Sequence, residues 1–292
     1  MNRYKFAILG GDMRQVKLAE LIKSDGHQVS TFAMEKVEPK EIGHTETLKE
    51  AVEKADCIVL PLPVTSKDNN ILNSPLSEGV YKLDQIFDSL EPGQLITGGR
   101  VDCDLLEGAS RRGLPFFDYY AREELIIAGA IATAEGAIQI AMEETPFTIF
   151  ESRCLVLGFG RIGKVLSHRL KGLGANVTVS ARNLKDHAWI EAYGYGFRAN
   201  SSLNDGLGDF DIIFNTVPAT ILDKKRLSTV QESCLLIDLA SKPGGMDFLE
   251  ASKLGLQAIW ALSLPGEVAP VTSGVIMKQT IYNILREQGR SI

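Results

Sequence analysis

Short apolar runs alternate along the chain with glycine turns and with segments of helical spacing. One such unit begins with "RCLVL" at 153 to 157 and continues through "GFGRIG" into "KVLSHRLKGLG". In the last of these segments, one helix face is formed by Val165, Leu166, Leu170 and Leu173. The following "ANVTVSAR" is again strand-like, so the pattern predicts a strand, a helix and a second strand.

Three glycines lie between the first strand of this unit and its helix. In a dinucleotide-binding turn, Gly158 makes the sharp turn, Gly160 lets the backbone approach the phosphates and Gly163 lets helix and strand pack closely. Arg161 and Ile162 belong to the predicted site because the first amides of such a helix hold the pyrophosphate. A G-x-G-x-x-G motif alone is weak evidence of a dinucleotide site. The flanking strand and helix favour such a site over an ordinary glycine turn.

The same opening occurs a second time near the start of the sequence. With Gly10 aligned on Gly158, "FAILGGDMRQVKLAELIKSDGHQVSTF" lies without a gap on "CLVLGFGRIGKVLSHRLKGLGANVTVS". Further along, "ADCIVLPLPVT" at 55 to 65 resembles "DFDIIFNTVPAT" at 209 to 220. The repeat predicts two related α/β domains. In the first copy Asp12 and Gln15 replace the second and third glycines, so we expect the first domain to bind no dinucleotide.

The pattern as a whole predicts an α/β fold of two Rossmann-like, doubly wound domains joined by a long helix. We place a substrate-binding and catalytic domain at 1–125 and a nucleotide-binding domain at 146–270. A linking helix is predicted at 126–145, within a run of helical composition. A last helix at 271–292 is expected to complete the first domain.

Composition and charge exclude several classes of function. The chain has 292 residues, 45% of them apolar, which is enough for two packed domains of ordinary size. A net charge of −6 without a basic block argues against nucleic acid as a partner. No run reaches the roughly 18 unbroken apolar residues of a membrane span, and the amino-terminal residues are unlike a secretion signal. We therefore expect a cytoplasmic protein that does not enter membranes.

The cysteines and histidines point to no metal or redox chemistry. Cys57, Cys154 and Cys234 lie in apolar, strand-like runs, and Cys103 lies in a loop or helix start. No C-x-x-C pair occurs, and the four histidines are scattered without a ligand partner at metal-binding spacing. We interpret the cysteines as reduced and structural, and we predict no metal site.

The end of the second strand of the nucleotide-binding unit indicates which cofactor binds. An NAD enzyme places an acidic residue about 20 residues after the first glycine, whereas the 2′-phosphate of NADP needs room and positive charge. This chain offers Ser180, Arg182 and Asn183 there. The alternative is that Arg182 only caps a surface strand. The sequence favours NADP over NAD.

Two later strand ends should face the cofactor because ligands bind outside the carboxyl ends of the strands in doubly wound sheets. The cofactor residues predicted at these ends are Thr216, Val217, Pro218, Ala240 and Ser241. Ser241 and Lys242 are also candidate catalytic residues. Glu135 is a third candidate, since a carboxylate among small apolar residues is either on the solvent side of the helix or directed at a cleft.

Six segments together make the sequence similar to a known family. They are "GGDMR", "AIATAEGAIQIAME", "GFGRIG", "SARN", "DLASKPGGMDF" and "ALSLPGEVAPVTSG". Over nearly the whole chain, these motifs resemble the family formed by the A subunit of dipicolinate synthase. The resemblance implies NADP-dependent oxidation of a dihydrodipicolinate-type precursor, derived from 4-hydroxytetrahydrodipicolinate, during sporulation. It also implies the mother-cell cytoplasm and a second component, the B subunit of dipicolinate synthase. We further expect a homo-oligomer.

A substrate with two carboxylates needs cationic or helix-terminal partners. We predict that Arg14 in the first domain and Lys242 in the second hold the two carboxylates across a cleft, with Arg100 as a further candidate. Removing a hydride from a dihydropyridine gives an aromatic ring, so positioning matters more than strong acid-base catalysis.

Three other interpretations compete with that of a dipicolinate synthase A subunit. A D-2-hydroxyacid dehydrogenase shares the two-domain plan, but it is expected to carry a late catalytic histidine, and no histidine follows His187. An adenosylhomocysteinase-like enzyme shares similar loops, yet this chain is short for it. The third is a nucleotide-binding assembly protein that catalyses no reaction. It would be favoured if the protein formed no product with any partner.

Overall fold

The computed structural model describes residues 3–37, 42–66 and 70–292. The chain folds into two compact units. The first unit comprises 1–128 and 269–292, and the second comprises 129–268. The division falls inside a single long helix, α5, which runs without interruption from Glu123 to Glu144.

The first unit is a parallel sheet with helices packed on it. Over its described residues the elements are β1 (Lys5–Leu9), α1 (Met13–Ser24), β2 (Gln28–Phe32), α2 (Leu48–Val52), β3 (Cys57–Val59), α3 (Leu83–Asp88), β4 (Leu95–Gly98), α4 (Cys103–Arg111), β5 (Phe116–Asp118) and the start of α5. The strand order is β2-β1-β3-β4-β5. The last helix, α11 (Pro270–Glu287), returns to this unit and packs on α1.

The second unit has a six-stranded parallel sheet. Its elements are β6 (Arg153–Leu157), α6 (Arg161–Gly172), β7 (Asn176–Ala181), α7 (Leu184–Ala192), β8 (Gly196–Ala199), β9 (Ile212–Asn215), α8 (Lys224–Leu227), β10 (Leu235–Asp238), α9 (Phe248–Lys253), β11 (Gln257–Trp260) and α10 (Leu264–Val268). The order β11-β10-β9-β6-β7-β8, counted from the first strand of the unit, is the 3-2-1-4-5-6 order of dinucleotide-binding folds. The first unit has the shorter 2-1-3-4-5 order of flavodoxin-like folds. The predicted fold class, two doubly wound α/β domains and a long helix, is confirmed.

Both faces of each sheet are buried, as expected for parallel strands flanked by helices. In β1, Phe6 and Ile8 pack into the core on one face, whereas Ala7 and Leu9 pack into the core on the other. Strand β6 repeats this alternation. The near-continuous apolar strands of the sequence follow from this double burial.

The internal repeat is visible in the backbone hydrogen bonds. The amide of Gly10 donates to the carbonyl of Phe32 at 2.9 Å, and the amide of Gly158 donates to the carbonyl of Ser180 at 2.9 Å. These four residues occupy matching places in the two aligned segments. The two turns therefore leave their first strands in the same geometry, although Asp12 and Gln15 stand in the first turn where the second has Gly160 and Gly163.

By length and composition alone, helix α5 is long and apolar enough to cross a membrane. Its Ala134, Ala137, Ile138 and Ala141 are buried in the core of the second unit. The apolar character of α5 is thus accounted for by packing within a folded unit.

Candidate functional site

The turn between β6 and α6 excludes side chains at two of its three glycines. Gly158 has a φ of 97°, and a Cβ there would lie 2.5 Å from the Thr216 Oγ1. A Cβ on Gly163 would lie 2.1 Å from the Gly158 carbonyl oxygen. Both distances are far below van der Waals contact, so these glycines are required by the turn itself.

Gly160 differs from its two neighbours because a Cβ there would meet nothing within 4 Å. It is the N-cap of α6, and no side chain caps the helix start. An uncapped helix start after a glycine turn is a site where backbone amides and the helix dipole favour an anion. The absence of a side chain at Gly160 keeps this helix start accessible.

The matching turn of the first unit is closed by its own side chains. Asp12 is the N-cap of α1 and accepts a hydrogen bond from the Arg14 amide at 2.9 Å. Gln15 completes a capping box by accepting from the Asp12 amide at 3.1 Å. A carboxylate therefore stands where the second unit has an uncapped helix start.

A segment of the first unit also covers its own switch point, between β1 and β3. The Gly11 amide donates to the Asn73 carbonyl at 2.8 Å, and a Cβ on Gly10 would lie 2.9 Å from the Leu72 side chain. Ligands of doubly wound sheets bind at such switch points. In the first unit this position is filled by the protein chain.

A cavity of about 280 Å³ lies at the carboxyl edge of the second unit's sheet. It is lined by Gly158, Phe159, Gly160, Ser180, Ala181, Arg182, Asn183, Asp186, Asn200, Thr216, Val217 and Pro218. Eight of the predicted cofactor residues are in this set. The cavity lining does not include Arg161, Ile162, Gly163, Ala240 or Ser241.

The β7 end of this cavity differs in detail from expectation. The Ser180 hydroxyl is buried and donates to the Asn200 Oδ1 at 2.6 Å. Asn183 caps α7, and its side chain makes two hydrogen bonds to Asp186, at 2.7 and 2.9 Å. Arg182 is exposed and lines the cavity. Of the three residues expected to bind the ribose phosphate, Ser180 and Asn183 are engaged in these hydrogen bonds. The Arg182 guanidinium takes part in none of them.

Two buried polar residues that the sequence analysis did not single out end β9 and β10. Asn215 and Asp238 are both fully buried, and the Asn215 Nδ2 donates to the Asp238 Oδ1 at 2.7 Å. The Asp238 oxygens also accept the amides of Ala240, at 3.0 Å, and Gly245, at 2.7 Å. The signal for both was present, since each is a polar residue that ends an otherwise apolar strand, "IIFN" and "LLID".

The predicted catalytic residues of the second unit have unequal surroundings. Ser241 and Lys242 are both exposed in the loop after β10, and Lys242 has no ionic partner among the described residues. Glu135 is ion-paired with Arg169 at 3.1 Å, its side chain is 58% exposed, and it does not line the 280 Å³ cavity. This geometry favours the solvent-side alternative for Glu135.

Arg14 is engaged inside the first unit. Its guanidinium donates to both oxygens of Asp12 and, at 2.6 Å, to the Leu62 carbonyl, and the residue is only 9% exposed. A cation with these partners stabilises the turn. The arrangement favours a structural role for Arg14 over the expected contact with a substrate carboxylate.

Arg100 has the opposite environment. It is exposed, has a left-handed backbone with a φ of 59°, and its amide donates to the Asp118 Oδ1 at 3.0 Å. Its guanidinium has no ionic partner among the described residues. Arg100 lines a second cavity, of about 350 Å³, together with Pro63, Thr65, Ser66, Val101 and Asp102. Of the two candidate cations in the first unit, Arg100 is the accessible one.

The cysteines offer no reactive thiolate in either core. All four are free, and burial raises the pKa of Cys57 to about 12, of Cys154 to about 11 and of Cys234 to about 12. No cluster of three or more potential metal ligands occurs among the described residues.

The sheet order of the second unit, its three-glycine turn and the cavity at the uncapped helix start are those of a dinucleotide-binding domain, the class of domain that nicotinamide-dependent dehydrogenases share. Residues 127–242 match the family described as D-isomer specific 2-hydroxyacid dehydrogenase, NAD binding domain. Residues 5–120 match the N-terminal domain family of the dipicolinate synthase A subunit. The A subunit of dipicolinate synthase from Bacillus subtilis is 32% identical over 97% of this chain and 96% of its own length. The chain belongs to the family of dipicolinate synthase A subunits.

Solved structures agree with this assignment. The A subunit of dipicolinate synthase from Bacillus halodurans superposes with a TM-score of 0.87 at 28% identity, covering 97% of each chain. The D-lactate dehydrogenase of Escherichia coli shares the fold, with a TM-score of 0.61 at 16% identity over 98% of each chain. The resemblance inferred from the motifs is confirmed by the relatives from Bacillus, and the match of residues 127–242 to a dehydrogenase family supports an oxidoreductase.

Proposed function

We propose that this protein oxidises a dihydrodipicolinate-type precursor, derived from 4-hydroxytetrahydrodipicolinate, to dipicolinate with NADP as the hydride acceptor. The observation that carries the proposal is the uncapped start of α6 beside the cavity of the second unit, in a chain of this family. A bound nicotinamide supplies the chemistry by accepting a hydride from the substrate. The substrate ring also loses a proton and becomes aromatic. The reaction therefore requires accurate placement of the substrate against the nicotinamide more than it requires a strong base.

Arg182 supports the choice of NADP over NAD. It follows β7 directly, at the place where an NAD enzyme holds the ribose hydroxyls with a carboxylate. The carboxylate that does line the cavity, on Asp186, accepts a hydrogen bond from the Asn183 side chain. A guanidinium is suited to bind a 2′-phosphate through two parallel hydrogen bonds.

Arg100 and Lys242 are the cations that we propose for substrate carboxylates. Each follows the carboxyl end of a strand, is exposed and lacks an acidic partner among the described residues. Ser241, adjacent to Lys242, provides a hydroxyl in the same loop. Arg14 is left out of this proposal because its guanidinium is already paired with Asp12.

The relatives of this chain are named as one component of a synthase, which supports a second component. We propose that the protein acts with the B subunit of dipicolinate synthase, as a homo-oligomer, in the mother-cell cytoplasm of a sporulating bacterium. In this scheme the present chain carries the nicotinamide chemistry.

The experiment is an absorbance assay at the reduced nicotinamide band with a dihydrodipicolinate-type substrate, with and without the second component. NADP reduction coupled to dipicolinate formation is expected, with a Kd for NADPH at least tenfold below that for NADH, a difference of about 1.4 kcal/mol. Arg182→Ala should remove this preference, whereas Lys185→Ala, an exposed cation outside the cavity lining, should keep it. Nucleotide binding without turnover in either condition would contradict the proposal and support a role in assembly alone.

A further inference from the structure

Asn215 and Asp238 form a polar pair in the core of the second unit, at the ends of two adjacent strands. Strands β9 and β10 pair in parallel, with Asn215 opposite Asp238. Both residues are 0% exposed, yet each makes several hydrogen bonds to the loop that follows its strand. Polar groups buried this deeply are costly unless they are fully paired.

Asn215 holds the loop that forms one wall of the cavity. Its Oδ1 accepts the Val217 amide at 3.1 Å, and its Nδ2 donates to the Val217 carbonyl at 3.0 Å. The side chain thus fixes both polar groups of one cavity-lining residue. Thr216, next to it, donates its hydroxyl to the Leu157 carbonyl at 2.9 Å, so the wall is tied to β6 as well.

Asp238 holds the loop that carries Lys242. Its Oδ1 accepts the Ala240 amide and its Oδ2 accepts the Gly245 amide, so that one carboxylate closes the loop at both ends. The Ala240 carbonyl accepts the indole N–H of Trp260 at 2.9 Å. A Cβ on Gly245 would lie 2.1 Å from the Asn215 Nδ2, so glycine is required for the loop to reach this pair.

The position of this pair along the sheet indicates which part of a dinucleotide it affects. The adenosine ribose is expected at the end of β7 and the pyrophosphate at the start of α6. Since β10 lies beyond β9 on the other side of β6 from β7, the second half of the dinucleotide extends over the end of β10. The end of β9 borders both halves, because Thr216 and Val217 line the same cavity as Ser180 and Arg182.

We propose that Asn215 and Asp238 are positioning residues: Asn215 holds the Val217 wall of the cavity, and Asp238 holds the loop from 240 to 245 in the geometry that receives the nicotinamide half of the cofactor. The inference rests on the proposed function, because it assumes that the cavity binds a nicotinamide dinucleotide. Neither side chain contacts the ligand itself. Each acts through the backbone of the loop that it holds.

The experiment compares two ligands on the full-length protein. NADPH reports on the whole site, and adenosine 2′,5′-bisphosphate reports on the part near β7 and α6. Asp238→Asn keeps the volume of the side chain. It places an amide N–H group against one of the two backbone amides whose hydrogen bonds the Asp238 carboxylate accepts. Asn215→Ala removes only the contacts to Val217 and the pair itself. A third variant, Gly245→Ala, disturbs the same pair from the loop side.

Asp238→Asn and Gly245→Ala are each expected to raise the Kd for NADPH at least tenfold while the Kd for adenosine 2′,5′-bisphosphate changes less than twofold. Asn215→Ala, which also frees Val217 in the cavity shared with Arg182, is expected to weaken both ligands, NADPH by the larger factor. The matched control is Asp211→Asn, just before the opposite end of β9, where the carboxylate accepts the Arg153 amide at 2.7 Å. This control is expected to lower the melting temperature without changing either Kd. It separates loss of stability from loss of positioning.

The outcomes distinguish the inference from the function on which it rests. If the wild-type protein binds neither NADPH nor NADH, the proposed function fails. If wild-type binding is normal and the folded variants bind NADPH as tightly as wild type, the positioning role alone is overturned. An equal loss of affinity for both ligands would also overturn it, because a general loosening of the fold would then account for the effect. If Asp238→Asn does not fold, Asn215→Ala and Gly245→Ala decide the question.

Discussion

Replacing Gly160 by Asp transfers the closed turn of the first unit into the second. Asp12 and Gly160 occupy matching positions, and Asp12 caps α1 while Gly160 leaves α6 uncapped. A Cβ at Gly160 meets nothing within 4 Å, and its φ of −79° suits any residue, so the variant should fold normally. Gly160→Asp is therefore expected to move stability and nucleotide affinity in opposite directions.

The magnitudes follow from the two roles of the helix start. A capping carboxylate adds a few tenths of a kcal/mol over glycine, and its interaction with the helix dipole adds about 0.3–1 kcal/mol. A pyrophosphate at this helix start would lie on the order of 4 Å from the new carboxylate, where two like charges repel by about 4 kcal/mol at an effective dielectric constant of about 20. Ile162 stands where the first unit has Arg14, so no guanidinium at that place offsets this repulsion.

The assay combines thermal melts with fluorescence titration of NADPH. We expect the melting temperature to rise by about 1–3 °C and the Kd to rise more than roughly a hundredfold. Gly172→Asp is the matched control, because Gly172 is exposed at the far end of the same helix and a Cβ there also meets nothing. Affinity within threefold of wild type in Gly160→Asp would refute the pyrophosphate site, and a lowered melting temperature would refute the open geometry at Gly160.

Three other perturbations have definite expected outcomes. Burial lowers the pKa of His27 in the folded protein, so the unfolded chain takes up a proton at a higher pH than the folded chain, and stability should fall as pH drops below about 6.5. Urea titrations of His27→Phe should show a weaker decline. Gly163→Ala should destabilise the protein by about 1–3 kcal/mol, since its Cβ would overlap the Gly158 carbonyl, and an unchanged melting temperature would contradict this. Arg14→Met should lower the melting temperature while the folded enzyme keeps its kcat/KM, and a tenfold loss of kcat/KM at wild-type stability would restore Arg14 as a substrate residue.

The parts of the fold that depend on local sequence were predictable. The spacing of Gly158, Gly160 and Gly163 assigned three different roles, and the structure shows two excluded Cβ positions and one open one. The gapless repeat likewise predicted two related units, since periodicity and turn residues are local signals.

The contacts that redefine the candidate site join residues far apart in sequence. Ser180 donates its hydroxyl hydrogen bond to Asn200, and Arg14 donates to the Leu62 carbonyl, and neither partner could be predicted from the sequence alone. Asn215 and Asp238 meet only because β9 and β10 are adjacent in the sheet. Hydrophobic periodicity carries no information about such partners, which tertiary packing selects.

The number of nucleotides bound per chain tests the central claim, that of the two matching helix starts the one of α6 is open and the one of α1 is closed. Isothermal titration calorimetry with NADPH is predicted to give one site per wild-type chain and none in Gly160→Asp at the same concentrations. Two sites per wild-type chain would contradict the closure of the first unit by Asp12. One site retained in Gly160→Asp would place the nucleotide elsewhere than at the start of α6.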